Sequence, residues 1–316
     1  MNNQENGPKC TVIMYHYVRD MHETDYPGIK GLLIKKFLGQ LDYIIANYKV
    51  ISLAEYVDFL HGKTEIPDNS AILTFDDGLK DHYNTVFPIL KERGLTATFF
   101  PITQAQTDQV VPGVLKAQFL LAKIGSNPFA KEFNYLLEKD FPKLFNQYKV
   151  TDKEKMEMKY RWDDPLTANL KFSIGTLPGE ARTKILNKIF PKYFDNEKNF
   201  INDLCMNWDE MREMQEAGMS FGGHTHTHPR LAELDEEAQK QELVHCTDIL
   251  TKNLNKRPTL FSYPYGDFNN ITLKLLKELG YDGAISTNVA VNQGRVDPFN
   301  ITRMDTNDIP FENSAK

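Results

Sequence analysis

Six consecutive residues, His224-Thr225-His226-Thr227-His228-Pro229, hold three of the eight histidines in the chain. Neutral imidazole is a good ligand for zinc and its first-row neighbours. Histidines at i and i+4 can face the same way on a helical turn, so His224 and His228 form a natural pair. A catalytic metal needs a third protein ligand and keeps a further position open for water. Asp76-Asp77-Gly78 offers two adjacent carboxylates, one to bind metal and the other to take a proton from the attacking water. Read alone, that pair serves equally well as a turn or helix cap before Gly78. A polar loop or an expression tag explains the histidine run poorly, because the run follows a strand-like segment in mid-chain. Together these residue types suggest metal-assisted hydrolysis.

Such residues need a scaffold that delivers them to one place. Four short apolar runs end in polar clusters. Thr11-Val12-Ile13-Met14-Tyr15 leads to His16, and Ala71-Ile72-Leu73-Thr74-Phe75 leads to Asp76-Asp77-Gly78. Met219-Ser220-Phe221-Gly222-Gly223 leads to His224, and Leu260-Phe261-Ser262-Tyr263 leads to Pro264-Tyr265-Gly266. Short runs rich in β-branched and aromatic residues read as buried strands, as do Val50-Ile51, Ala97-Thr98-Phe99-Phe100 and Gly283-Ala284-Ile285-Ser286. Helical patterns separate them. Residues 34–48 set Phe37, Leu41, Ile44 and Ile45 on one face. Ser52, with Glu55 three residues on, has capping-box spacing before a helix through Leu60. Further helices are predicted over 83–93, closed by Gly94, from an Asn207 cap through Glu216, and over 234–254 and 271–279. Strand–helix alternation implies a parallel sheet with right-handed crossovers, whose C-terminal strand ends gather on one face.

The alternation stops near Gln104 and resumes near Asn207. The intervening residues 105–204 carry 14 aromatics and sixteen basic against thirteen acidic residues, net +3. The remainder is then net −9, within a chain total of −6 over 316 residues. The segment is expected to be a solvated helical excursion with its own small core. The other reading is a lid that touches an anionic substrate or a lipid headgroup. The acidic balance places nucleic acid last among partners, since phosphate neutralisation needs a basic excess. Cys10, Cys205 and Cys246 have no CxxC spacing, so no cysteine metal site or disulfide framework is expected, and a reducing compartment fits. No run is apolar enough for a transmembrane helix and the N-terminus does not read as a signal peptide, which together point to the cytoplasm.

Three motifs carry a resemblance. Leu73-Thr74-Phe75-Asp76-Asp77-Gly78 resembles the TFDDG motif of the polysaccharide deacetylases, the NodB-homology carbohydrate esterases. His224 to Pro229 resembles their H-[ST]-x-x-H-P motif, and Phe261-Ser262-Tyr263-Pro264-Tyr265-Gly266 their third motif, in the family's order along the chain. The similarity covers 10–104 and 207–305 and leaves 105–204 as an insertion. It implies an α/β fold, a distorted (β/α)7-type barrel with a large helical insertion. It also implies a divalent metal, zinc first, with Co2+, Ni2+ or Mn2+ as substitutes. By the same resemblance Asp77, His224 and His228 would be metal ligands and Asp76 the general base. Thr225 would support the histidine loop, and the Tyr265 N–H would hold the oxyanion.

The chain departs from the common pattern twice. The family's late L-x-H histidine is absent, because no histidine follows His245. Tyr15-His16-Tyr17-Val18 resembles instead the Y-H-x-[VI] strand end of the biofilm exopolysaccharide deacetylases, which implies His16 as general acid, ahead of His226. Ser262 stands where the third motif usually has arginine. Arg303 is the replacement cation expected beside the base, with Arg19 second. Tyr263 and Tyr265 are candidates to stack on a sugar, while Trp208 is expected to pack in the core. The function implied is hydrolysis of the acetamide of an N-acetylated amino sugar in a lipid-linked, nucleotide-linked or polymeric glycan. Peripheral membrane contact would run through the insertion. The alternatives are a deformylase or other small-acyl or ureide amidohydrolase, and an inactive carbohydrate-binding relative.

Overall fold

The computed structural model describes residues 7–20, 24–153 and 162–311. Its first half alternates as the sequence suggests: β1 (Lys9–Tyr15), α1 (Ile34–Asn47), β2 (Lys49–Val50), α2 (Leu53–Leu60), β3 (Ser70–Asp77), a π-helical turn His82–Val86 running into α3 (Phe87–Glu92), and β4 (Thr98–Pro101). The helices α4 (Thr103–Thr107), α5 (Gly113–Ile124), α6 (Ser126–Asp140), α7 (Pro142–Tyr148), α8 (Pro165–Thr176), α9 (Gly179–Ile189) and α10 (Glu197–Leu204) follow. The alternation then resumes with α11 (Trp208–Glu216), β5 (Ser220–Phe221), α12 (Glu236–Leu254), β6 (Leu260–Ser262), α13 (Asn270–Glu278), β7 (Gly283–Ile285), β8 (Asn292–Gln293) and β9 (Met304–Asp305). The capping box expected at Ser52 with Glu55 forms, and Asn207 with Glu210 and Asn269 with Thr272 make further ones, each satisfying amides that the first helical turn leaves unpaired.

Parallel pairing runs β5–β4–β3–β1, with β9 on the far side of β1 and β6 paired to β7. Two isolated parallel bridges, Gly223 to Phe261 and Ile285 to Ile301, link the β6–β7 pair to the rest. The staves thus follow one another around a distorted (β/α) barrel whose last joins are single bridges rather than ladders. Gly222 sits at one join. A Cβ there would stand 2.4 Å from the Phe100 ring and 2.5 Å from the Leu260 carbonyl oxygen, so the close approach of β4, β5 and β6 requires glycine.

Successive residues of each strand feed two different cores. Val12, Ile72, Phe100, Leu260, Ile285 and Ile301 fill the ring, closed below by Tyr56, Val57 and Phe59 of α2. Ile13, Leu73, Phe75 and Phe99 face outward against Phe37, Leu41, Ile44 and Met214 of the surrounding helices, and Trp208 packs on that layer. A third core joins Phe119, Phe129, Phe133, Phe190 and Phe194 of residues 105–204 to Tyr17, Ile29 and Leu79 of the barrel loops. No helix among the described residues is long and apolar enough to cross a membrane.

Candidate active site

The register of β1 on β3 pairs Tyr15 with Phe75, so the residues just beyond, His16 and Asp76, arrive side by side. The β3 end turns sharply through two left-handed residues, Asp77 (φ 73) and Gly78 (φ 71). The histidine loop does not form the helical turn that the i, i+4 spacing suggests. Thr225 (φ 63) and His228 (φ 61) kink it instead, and the Thr225 hydroxyl donates to the His224 carbonyl at 2.5 Å while accepting the His228 N–H at 3.0 Å. Glu242, on α12, pins the loop by accepting the N–H groups of His226 and Thr227, each at 2.9 Å. Tyr265 is also left-handed, with φ 58. Such non-glycine conformations cost about 1–3 kcal/mol each and persist where the surroundings enforce them, as they commonly do at functional sites.

Asp77, His224 and His228 converge, with one ligand atom from each lying within 4.8 Å of the others. Asp77 Oδ1 is 3.6 Å from His224 Nε2 and 3.8 Å from His228 Nε2. These gaps exceed a hydrogen bond and approach the edge of a tetrahedron, about 3.4 Å, whose ligands lie about 2.0–2.1 Å from a central zinc. Asp77 Oδ1 is buried with no hydrogen-bond partner among the described residues. His224 Nδ1–H donates to the Ser262 carbonyl at 2.7 Å, which leaves Nε2 as the ligand atom. An orphaned buried carboxylate oxygen facing two imidazole nitrogens fits a divalent cation. Asp77 and His228 already hold the protonation states a cation needs, whereas His224 would give up a proton on binding one. Burial pushes the Asp77 carboxyl up, but the His224, His16 and His228 imidazoles outweigh it and hold it at about 2. Burial, assisted by His224, lowers His228 to about 3. Burial also works to lower His224, but Asp77 and Asp76 prevail and raise it.

Asp76 lies beside this group, and its Oδ2 accepts from Arg303 Nη2 at 2.8 Å and from the Ser262 hydroxyl at 3.3 Å. Arg303 is 1% exposed and is held by the Ser286 carbonyl at 2.8 Å and by Ser262 Oγ at 3.2 Å. Ser262 therefore shares one pocket with the guanidinium that reaches in from the residue before β9. Burial raises the Asp76 carboxyl, but Arg303, His224 and His16 together hold it well below the usual carboxylate range. His16 Nε2 is 4.0 Å from Asp76 Oδ2, on a side chain 38% exposed. Beneath it the buried His82 donates Nε2–H to the His16 carbonyl at 2.9 Å. No sequence motif pointed to this anchor.

Other candidates separate. Arg19 is paired with Asp81 at 2.7 Å and does not reach Asp76. His226 turns away, to Thr103 at 3.0 Å and onto the ring of His245 at 4.1 Å. Tyr265 lines the site with its ring 4.7 Å from that of His228, and Thr287 Oγ1 donates to its carbonyl at 3.2 Å. Tyr263 is more deeply set than a sugar platform requires: its ring is buried and stacked on Phe268 at 4.3 Å, its hydroxyl donates to the Phe299 carbonyl at 3.0 Å, and it still borders the cavity over the site.

The site opens into a cavity of about 230 Å3. Val114, Ala117 and Leu121 of α5 and Ile174 of α8 line it together with His16, Asp76, Asp77, His224 and His228. Tyr17 holds this roof by donating to Gln118 at 2.6 Å. Helices of residues 105–204 thus cover one side of the site.

A family model described as polysaccharide deacetylase matches residues 63–125 and 183–284. Asp76, Asp77, His224, His228 and Tyr265 lie inside the matched blocks, whereas His16 and Arg303 lie outside them. The Bacillus subtilis (strain 168) protein YxkH, which bears a polysaccharide deacetylase name, is 30% identical over 284 residues, 90% of this chain and 66% of that one. The poly-beta-1,6-N-acetyl-D-glucosamine N-deacetylase of Escherichia coli (strain K12) is 21% identical over 241 residues, 75% of this chain and 28% of that one. This chain therefore spans just under two thirds of one of these relatives and about a quarter of the other. The solved Streptococcus pyogenes deacetylase PplD, in complex with acetate, shares the fold with a TM-score of 0.58 at 19% identity, over 95% of this chain and 93% of that one.

Proposed function

The chain belongs to the polysaccharide deacetylase family, and from that premise we propose that it is a metal-dependent N-deacetylase. It hydrolyses the acetamide of an N-acetylated amino sugar in a glycan or glycan precursor. The observation that carries this reading is the convergence of Asp77, His224 and His228 beside an ionised Asp76. Asp77, His224 and His228 would hold the cation, and two imidazoles with one carboxylate suit zinc, with Co2+, Ni2+ or Mn2+ as substitutes. A divalent metal there supplies Lewis acidity, lowering the pKa of water and polarising the acyl oxygen.

The chain's own groups supply the rest. Asp76 accepts the proton of the water that attacks the amide carbon, with Arg303 orienting its carboxylate. The Tyr265 N–H, fixed by the left-handed turn, donates to the oxyanion as the carbonyl becomes tetrahedral. His16 gives a proton to the sugar nitrogen as the C–N bond breaks, releasing a free amine and acetate. The α5–α8 roof excludes bulk water, which strengthens each of these interactions.

The E. coli relative's name supports an N-acetylglucosamine polymer, while lipid- or nucleotide-linked precursors offer the same amide. Three buried, free cysteines support a cytoplasmic setting as part of this reading. The deciding experiment combines metal analysis of the purified protein with acetate and formate detection on N-acetylated and N-formylated glucosamine oligosaccharides. Stoichiometric divalent metal and acetate release are expected. A protein that recruits no divalent metal sinks the hydrolase reading, and formate without acetate reassigns the acyl group.

A further inference from the structure

Beside the metal-site cavity runs a wider groove of about 1290 Å3, and the two share His228 and Val114 in their linings. We propose that this groove binds an anionic group, a phosphate ester or a carboxylate, carried by the saccharide whose amide lies over Asp77, His224 and His228, with Arg182 as its principal contact. The identity of the amide rests on the N-deacetylase reading; the anion site does not.

Arg182 projects from α9 into the groove and is half-buried. Its hydrogen bond, Nη1 to the Gly175 carbonyl at 3.4 Å, is at the weak limit, and no carboxylate among the described residues lies within 4.0 Å of it. The other strong cations of the groove wall are neutralised. Lys116 pairs with Glu197 at 2.8 Å, and Arg230 pairs with Asp267 while lying 4.5 Å from the centre of the Tyr265 ring. The acids on the facing wall are mostly engaged within the fold. Asp235 caps α12 by accepting the Ala238 N–H at 2.8 Å, and Glu242 holds the histidine loop. Glu233 remains, exposed at the rim and beyond salt-bridge distance of Arg182.

A half-buried guanidinium with no salt-bridged carboxylate, and only the rim Glu233 acting on it from farther off, favours whatever anion reaches it, and its planar fork suits two oxygens of a phosphate or carboxylate. The site lies close enough to the reaction centre for one ligand to span both. The groove that Arg182 lines and the metal-site cavity meet at His228 and Val114. A sugar seated over the metal ligands would extend its neighbouring substituent past His228 and toward α9.

The test uses the full chain with N-acetylglucosamine 1-phosphate, N-acetylmuramic acid and neutral N-acetylglucosamine. Calorimetric titration of the metal-free protein should show the anionic sugars binding about tenfold tighter than the neutral one at low salt, the margin of one charge-assisted contact. Arg182→Gln should remove that margin, and Arg182→Lys should keep part of it. Whichever of the phosphate and carboxylate sugars binds tighter identifies the source of the anion. In the metal-loaded enzyme, the ratio of kcat/KM for anionic over neutral substrate should fall about tenfold in Arg182→Gln. Equal binding of all three sugars by the unsubstituted protein, or an undiminished preference in Arg182→Gln, overturns the proposal. Failure of the deacetylase reading looks different: no acetate from any metal-loaded sample, while the titration still reports on the groove.

Discussion

Arg303 and Asp76 meet at 2.8 Å although 227 positions separate them, and neither is more than 2% exposed. The pair engages Oδ2 of the carboxylate proposed as the base. Asp76 Oδ1 is buried without a hydrogen-bond partner among the described residues. Asp76→Asn should lower turnover by about 10²–10⁴-fold, the usual contribution of a general base, with metal content retained; full activity would remove Asp76 from that role. His16→Ala should lower kcat by about 10²-fold with metal content unchanged, and loss of metal would make His16 a ligand instead. Arg303→Met strands a buried carboxylate and should cost about 3–5 kcal/mol in denaturant unfolding near pH 7. The sign of its pH dependence follows from the depressed Asp76 carboxyl. That group adds stability above its unfolded pKa of about 3.9 and loses it as pH falls through its lower folded value. Without Arg303 the folded value rises. The stability deficit against the unsubstituted protein should therefore be largest near neutrality and shrink toward pH 3, while the acid limb of kcat/KM moves to higher pH. An unmoved acid limb would show that Arg303 does not act through Asp76.

The elements position the site by ending abruptly. β3 is buried along its whole length and stops because Asp77 and Gly78 both leave the extended region. A Cβ on Gly78 would meet the Pro101 Cβ at 2.6 Å, at a φ that side chains adopt only under strain. Gly78→Ala should lose about 1–2 kcal/mol or more and weaken metal binding, because Asp77 moves with the turn; calorimetry and zinc titration report the two effects separately. Capped helices were legible in the sequence because a cap is local, as at Ser52 and Asn207. The π-helical turn at His82–Val86, which sets His82 under His16, carried no such signal, since its register is fixed by packing on Phe75 and Phe99. At the roof, Ala117→Phe should fill part of the cavity of about 230 Å3 and raise KM with metal content unchanged. An unaltered KM would show that α5 does not bound the substrate site.

Across the whole molecule, the insertion and the barrel share a core through Tyr17, Ile29 and Leu79, so the roof is built into the fold. Metal and fold should likewise be coupled, because Asp77, His224 and His228 are drawn from two distant strand ends. Metal at a hundredfold its dissociation constant adds about 2.7 kcal/mol. Chelator-treated protein should therefore melt several degrees lower, with recovery on adding Zn2+; a melting point indifferent to every divalent metal would argue against the site. The chain's −6 charge is the sum of a +3 helical segment and a −9 remainder, and the α9 cation facing the groove belongs to the positive part.

By itself the sequence determined which residues stand at strand ends. Apolar runs, turn glycines and capping spacings act within a few residues of chain, so Asp76, Asp77, His224, His228 and Tyr265 could be placed on their loops without coordinates. The tertiary structure alone decided which of those ends face one another. The β1–β3 register sets His16 against Asp76, and the bridge from Ile285 to Ile301 brings Arg303 behind the base. Tyr263 was drawn into the core, and α5 and α8 were laid over the site. These outcomes depend on closure of the ring and on side chains packing across more than a hundred residues, for which no local pattern exists.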